Sequence, residues 1–480
     1  MEKRSIKKNY IYNTLYQILL LLTPFITTPY ISRVLGADGV GTVSYAESIV
    51  SYFTLFAAMG VTTYGQREIS YVQDSCEKRS IVFWNTKCFM AIISGIVILF
   101  YLLFASRSEN STIYYILLFN LLAVLVDVTW FFQGIEEFGK IVFRNVILKI
   151  ISIIYIFIAV KTADDIVRYV FGLTFFTFVG NLSLWFYVPK YVKFVKKEEV
   201  HPFKSTKAIL GLFVPTIAIQ IYTVLDKTMI GILTKSAYEN GYYEQAIKIV
   251  RMVLMLVASL GTVMVPRIGY YFQNGKKEDV QRLMYRAYRF VWLLGIPLCF
   301  GLIMISANFV PWFFGEGYDK VISLISILSF LILAIGINNV TGIQYLIPTQ
   351  KENIFSLTVI IGACVNFIFN LILIPRIQSE GAAIASVIAE TVIAIVQIII
   401  VRKELHPLRI IKEGTNYFIA GLVMVVALYI EGECLESSML NTLIMITTGA
   451  LSYGVVLLLL RDFFVLNNIK MILQKIKIIK

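Results

Sequence analysis

Apolar residues run along this chain in blocks of about 20, the length an α-helix needs to cross the hydrocarbon of a bilayer. Fourteen such blocks are separated by polar turns: 11–32, 41–60, 86–105, 113–132, 142–160, 166–188, 208–230, 242–264, 288–306, 322–341, 354–374, 381–401, 416–430 and 443–460. The thirteenth is short, and Asn338 and Asn339 interrupt the tenth. Each helix with its connection takes about 34 of the 480 residues, which leaves no length for a soluble domain. The longest polar connections, 189–207 and 267–287, are short and basic. The pattern predicts an all-α polytopic membrane protein of about fourteen transmembrane helices.

A weak repeat overlies the blocks. At an offset of 200, residues 41–67 match 241–267 at seven of 27 positions, from Gly41 and Gly241 to Arg67 and Arg267. The matched segments are the second and eighth spans, which run in the same direction. A parallel repeat of this kind predicts two six-helix lobes about the membrane normal, as in alternating-access transporters. The expected division is 1–188 for one lobe, 189–207 for a cytoplasmic linker and 208–401 for the second lobe. Residues 402–480 then hold the last two spans and a basic tail.

Composition narrows the class. The chain is 58% hydrophobic and 15% charged, against about 25% charged for a soluble domain, and its mean hydropathy is +0.77. A soluble enzyme, a disordered chain and a disulfide scaffold are thereby excluded. The net charge of +13 reports orientation rather than nucleic-acid binding. With the N-terminus inside, 33 of the 43 Lys and Arg residues fall in cytoplasmic segments and seven in outer ones, while Lys227, Lys248 and Arg251 lie within spans. That bias predicts an even number of spans with both termini cytoplasmic. The first block follows Lys3, Arg4, Lys7 and Lys8, but it is too long for a cleaved signal and lacks a small-residue cleavage site, so it reads as a retained span.

Little of the usual chemistry is legible. Cys76, Cys88, Cys299, Cys364 and Cys434 form no metal-ligand spacing with His201 or His406 and read as packing residues, so no metal, cofactor or catalytic site is expected. Gly134 to Lys140 imitates the start of a phosphate-binding loop, but Ile141 stands where Ser or Thr would bind Mg²⁺. Energy must then come from an ion gradient or from consumption of product. Charges inside spans are costly and usually face a cavity or a partner. The cations are Arg33, Lys149, Lys227, Lys248 and Arg251, and the carboxylates are Glu47, Asp127, Asp226 and Glu390. Glu244 stands one turn before Lys248 and can pair with it, while Asp226 and Lys227 point about 100° apart. Several fixed cations beside abundant aromatics suit an anionic, sugar-bearing ligand, through charge-assisted hydrogen bonds to phosphate and stacking on sugar faces. The carboxylates serve either as ion carriers or as partners of the cations. Pro24, Pro29, Pro215 and Pro297 are either hinges or static kinks.

Seven stretches carry a family resemblance: PYISRVLGADGVG (29–41), WFFQGIEEFGKIVFRN (130–145), YTVLDKTMIG (222–231), GYYEQAIKIV (241–250), GTVMVPR (261–267), GIQYLIPTQKE (342–352) and GAAIASVIAE (381–390). The chain resembles the Wzx-type polysaccharide repeat-unit flippases of the multidrug/oligosaccharidyl-lipid/polysaccharide (MOP) exporter superfamily over nearly its whole length. The resemblance implies a MATE-like fold of two six-helix lobes plus two C-terminal helices around a central cavity. It implies a bacterial inner-membrane flippase that turns undecaprenyl-diphosphate-linked oligosaccharides to the outer leaflet for capsule, exopolysaccharide or O-antigen synthesis. Arg33 and Asp38, and Asp226 and Lys227, match the family's charged positions after the first span and in the seventh. Implied partners are the lipid-linked oligosaccharide, membrane lipid, and the polymerase and glycosyltransferases of the same pathway. Rival readings are a teichoic-acid-type flippase, a cation-coupled drug exporter, a multispan glycosyl transferase or polymerase, and a structural assembly partner without transport. The enzyme reading lacks a long external loop.

Overall fold

The structure is a computed structural model that describes residues 6–258, 261–468, 470 and 474, and among these it is helical with no strand. The chain divides into two compact units, Met1–Thr228 and Met229–Lys480. The terminal cations Lys3, Arg4, Lys475, Lys477 and Lys480 lie outside the described residues, as does the side chain of Pro215.

The first unit begins with α1 (Ile6–Ala58), followed by α2 (Val61–Tyr71), α3 (Cys76–Ser106), α4 (Ser111–Val126), α5 (Thr129–Gly134), α6 (Phe138–Ala159) and α7 (Ile166–Ser183), and it takes in the start of α8 (Thr206–Thr234). The first two expected spans are two helices within α1 that meet at a break at Gly36 (φ 67°, ψ 177°). Only glycine adopts that backbone readily. Val43, Ala46 and Val50 of α1 pack with Tyr101, Leu117, Leu121 and Val170 into one core. A second, aromatic core forms around α5, where Trp130, Phe131 and Phe132 are fully buried against Phe83, Leu184 and Tyr191.

The basic segment 189–207 is strapped along α3. Buried Arg79 donates from Nε (3.1 Å) and Nη2 (2.7 Å) to the Tyr191 carbonyl. Trp84 Nε1 donates to the Lys193 carbonyl at 3.0 Å, and the Lys193 amide donates to Ser80 Oγ at 3.0 Å.

The second unit holds the end of α8, then α9 (Ala237–Ala258), α10 (Gly261–Gln273), α11 (Lys277–Phe314), α12 (Asp319–Leu328), α13 (Phe330–Asn338), a π-helical stretch over Asn339–Leu346, α14 (Glu352–Ile400), α15 (Pro407–Cys434) and α16 (Met439–Leu459). α14 breaks at Ile377 and Gln378, the latter at φ 54°. Gly381 closes that break, because a Cβ there would sit 2.6 Å from the Leu373 carbonyl carbon. Buried Glu239 caps the helix that restarts, accepting from the Ser379 amide (3.1 Å) and Ser379 Oγ (2.5 Å). Lys320 holds the Glu239 carboxylate with Nζ 2.8 Å from both oxygens. α15 and α16 pack on α11 around Ile296, Tyr417, Met424 and Met445. Pro297 removes an amide from α11 and frees the Leu293 carbonyl, which accepts from Tyr453 OH of α16 at 3.1 Å.

Nine helical stretches among the described residues are long and apolar enough to cross a membrane by composition alone. α14 carries a second span beyond its break, α1 carries the first two, and α8 and α9 carry the seventh and eighth, so the fold is an all-α membrane bundle of about fourteen spans. Three spans differ from their expected form. The fourth stops at Asp127 and restarts as α5, the tenth is three consecutive pieces, and the thirteenth extends over Pro407–Cys434.

The Gly36 backbone yields a prediction with an internal control. A Cβ at Gly36 or at Gly95 would meet nothing within 4 Å, but only Gly36 has positive φ. Gly36→Ala should cost about 1–3 kcal/mol through backbone strain, whereas Gly95→Ala, within α3, should be neutral or stabilising by up to about 1 kcal/mol. Thermal unfolding of the two purified variants in the same detergent tests this, and equal midpoints would remove the special role of Gly36.

Candidate functional site

In the first unit, three helices offer polar stripes to a cavity of about 430 Å³. Glu47, Ser51, Thr54 and Ala58 recur at helical spacing on α1, Asn120 and Asp127 on α4, and Thr177 and Asn181 on α7. Glu47 and Asp127, both named from sequence, therefore line one cavity. The Asp127 carboxylate is committed locally, accepting from the Thr129 amide at 2.9 Å and Thr129 Oγ1 at 3.0 Å at the start of α5. It fastens the turn that leads into α5, whose N-cap position is Val128.

The break beside that cavity is closed group by group. The last four carbonyls of α4 all accept a hydrogen bond. Ala123 receives Asn181 Nδ2 (2.9 Å), Val124 the Asp127 amide (3.0 Å), Leu125 Lys87 Nζ (2.6 Å) and Val126 Trp185 Nε1 (2.7 Å). Lys87 also donates to the Asp127 carbonyl at 2.9 Å. Lys87 is buried, although the sequence reading counted it with the cytoplasmic charges. Helix ends must be satisfied in hydrocarbon, and here a cation, an indole and an amide perform that task.

The remaining charges named from sequence separate by unit. Arg33 is exposed on α1, and Lys149 is half-buried on α6. Buried Asp226 and half-buried Lys227 lie on α8 beside Thr228, whose hydroxyl lies 3.0 Å from Ser48 Oγ and 3.1 Å from Tyr52 OH of α1. In the second unit, Lys248 pairs with Glu244 one turn earlier at 3.6 Å, and Arg251 is exposed. Buried Glu390 receives Asn338 Nδ2 on its carboxylate, and the Glu390 carbonyl receives the same amide at 3.0 Å.

Sequence reasoning passed over a seam of neutral polar groups near Glu390. Asn366 and Asn370 of α14 are fully buried; Asn370 Nδ2 donates to Asn366 Oδ1 at 3.0 Å, and Asn366 Nδ2 to Ser386 Oγ at 3.3 Å. Gln397 Nε2 donates to Thr358 Oγ1 at 3.1 Å. Asn at i and i+4 inside a span is the one signal that would have found them. No group of three or more His, Cys, Asp or Glu suited to a metal occurs among the described residues. Of the five cysteines, Cys299 is buried while Cys364 and Cys434 are exposed.

The profile of a family described as "Polysaccharide biosynthesis protein" matches residues 6–272. Among curated proteins, the chain is 23% identical over 406 residues to the "Putative O-antigen transporter" of Escherichia coli (strain K12), covering 83% of this chain and 97% of that protein. Among solved structures, a lipid II flippase, MurJ, in an inward closed conformation aligns with a TM-score of 0.74 at 18% identity, over 95% of this chain and 99% of that one. An inward-facing MATE multidrug-resistance transporter of the MOP superfamily aligns at 0.61 and 15% identity, over 82% and 96%. These two likenesses establish the fold.

The carbonyl closure separates structural from chemical roles. Lys87→Met strands the Leu125 and Asp127 carbonyls and should cost about 1–3 kcal/mol. Asp127→Asn keeps an acceptor for Thr129 and should unfold near the wild-type temperature, while Asp127→Ala loses about 0.5–2 kcal/mol, as for a capping side chain. Thermal denaturation in detergent checks the order. Asn and Ala variants of equal stability would deny Asp127 its role in the turn.

Proposed function

Because the chain belongs to the polysaccharide biosynthesis protein family, we propose that it is a flippase for lipid-linked oligosaccharides. It turns undecaprenyl-diphosphate-linked repeat units from the inner to the outer leaflet of the cytoplasmic membrane, for capsule, exopolysaccharide or O-antigen assembly. The observation that carries the reading is the set of cations on membrane helices: Arg33, Lys149, Lys227, Lys248 and Arg251. Hydrocarbon disfavours such groups unless they meet water, a partner or an anion. Beside their protein partners such cations attract a diphosphate, because charge-assisted hydrogen bonds are the stronger kind. The E. coli relative, named as an O-antigen transporter, supports the same substrate class.

In this reading the sugar and diphosphate travel among these charged groups while the polyprenyl tail stays in lipid. Both termini and the 189–207 and 267–287 connections face the cytoplasm, as the charge bias requires. Glu47 and Asp127, which line one cavity, are the coupling candidates of the first unit, each either an ion carrier or a fixed partner of a cation. Asp226 and Glu390 serve as packing or coupling partners of neighbouring polar groups. The transport step makes and breaks no covalent bond, so the protein acts as a transporter and not as an enzyme.

Alanine at Arg33, Lys227, Lys248 or Arg251 removes a charged hydrogen bond of about 1.5–3 kcal/mol, roughly 10- to 150-fold in affinity. In a producing strain whose only copy is the variant, surface polysaccharide should fall and lipid-linked precursor should accumulate, with protein levels in the membrane unchanged. Wild-type polysaccharide from all four single variants would return these residues to packing roles.

A further inference from the structure

The first unit carries a second concavity, distinct from the polar cavity. It is an apolar groove of about 1140 Å³ along α6, walled by residues such as Phe143, Ile147 and Phe186. Phe143 and Phe186 are among the most exposed aromatics of the chain, at 69% and 86%. One end is cationic and aromatic. Lys140 Nζ lies 4.3 Å from the Tyr191 ring centre and 5.2 Å from that of Tyr187, with its nearest carboxylate partner, Glu137, at 3.7 Å. Arg144, one turn further along the same face, donates from Nη1 to the Gly180 carbonyl at 2.8 Å and Asn181 Oδ1 at 3.2 Å. The charged residues of the lining, Lys140, Arg144 and Glu137, sum to one positive charge.

We propose that this groove binds an anionic phospholipid of the adjoining leaflet, its phosphate at Lys140 and Arg144 and an acyl chain along Phe143, Ile147 and Phe186. Two features select that occupant. The single excess positive charge complements one phosphodiester, and basic recesses between membrane helices are known to favour anionic headgroups. The lining of α6 runs from Gly139 to Leu148, about 14 Å at 1.5 Å per residue. That is about half of a 30 Å hydrocarbon core, the depth of one leaflet and of an ordinary acyl chain, and short for a long polyprenyl tail. The site is independent of the flippase reading, since it needs only that α6 lie in a bilayer.

Native mass spectrometry of the purified full chain, titrated with phosphatidylglycerol or phosphatidylcholine of equal chain length, tests the proposal. Wild type should retain one phosphatidylglycerol at least tenfold more tightly than phosphatidylcholine. The paired substitution Lys140→Gln with Arg144→Gln should abolish that preference, and Lys140→Arg should keep it. Ile147→Trp, which fills the groove without touching charge, should weaken both lipids. Equal retention of the two lipids by wild type would overturn the proposal, as would a preference that survives the paired substitution. Stoichiometric displacement of phosphatidylglycerol by an equal concentration of undecaprenyl phosphate would also overturn it, by assigning the groove to the polyprenyl substrate.

Discussion

Every backbone group inside a bilayer must find its partner within the protein, and the interruptions at the end of α4 and at Pro297 of α11 are built around that demand. An unpaired carbonyl or amide in hydrocarbon costs several kcal/mol. At the end of α4 the demand is met by Lys87, Trp185, Asn181 and the following amide. At the turn between the two spans of α14, the helix that restarts is capped by Glu239, itself held by Lys320. At Pro297 the demand is met by a tyrosine hydroxyl from the neighbouring helix. The break at the end of α4 therefore draws a cation and neutral polar side chains into the bundle, where they hold a helix end.

That use decides how the intramembrane charges divide. Asp127 and Lys87 close a helix break, so their presence in a span is explained without a ligand. Glu47 lines the same cavity from an unbroken stretch of α1, with hydroxyls of Ser51 and Thr54 below it. Pro297, open between hinge and static kink in sequence, is fastened by Tyr453 and fits the static role.

Much of the fold was legible because hydrocarbon imposes a length and an apolarity on every span, and both are written directly in residue order. The spans lost in detail are those where one residue overrides the pattern. Asp127 alone ends α4 in an otherwise apolar run and hydropathy misses that break, whereas the turn at Gly36 falls in the polar segment 33–40 between the first two blocks. The site was legible only as a set of charges. Lys87 stands at the very edge of the third block, next to polar residues, so residue order does not reveal that its ammonium reaches into the bundle. The amides Asn181, Asn366 and Asn370 carry no charge, and an apolar average hides them. Which cations meet the substrate depends on contacts between distant helices, which residue order does not encode locally.

The central claim is that this chain moves a lipid-linked oligosaccharide between leaflets, and reconstitution tests it most directly. Purified protein in proteoliposomes loaded with a fluorescent-sugar undecaprenyl diphosphate would be assayed by the fraction of label that a membrane-impermeant quencher reaches over time. The account predicts that label initially confined to the inner leaflet becomes reachable only when the protein is present. An imposed ion gradient should accelerate this in wild type. Label that stays protected in vesicles holding folded protein, with and without a gradient, would contradict it.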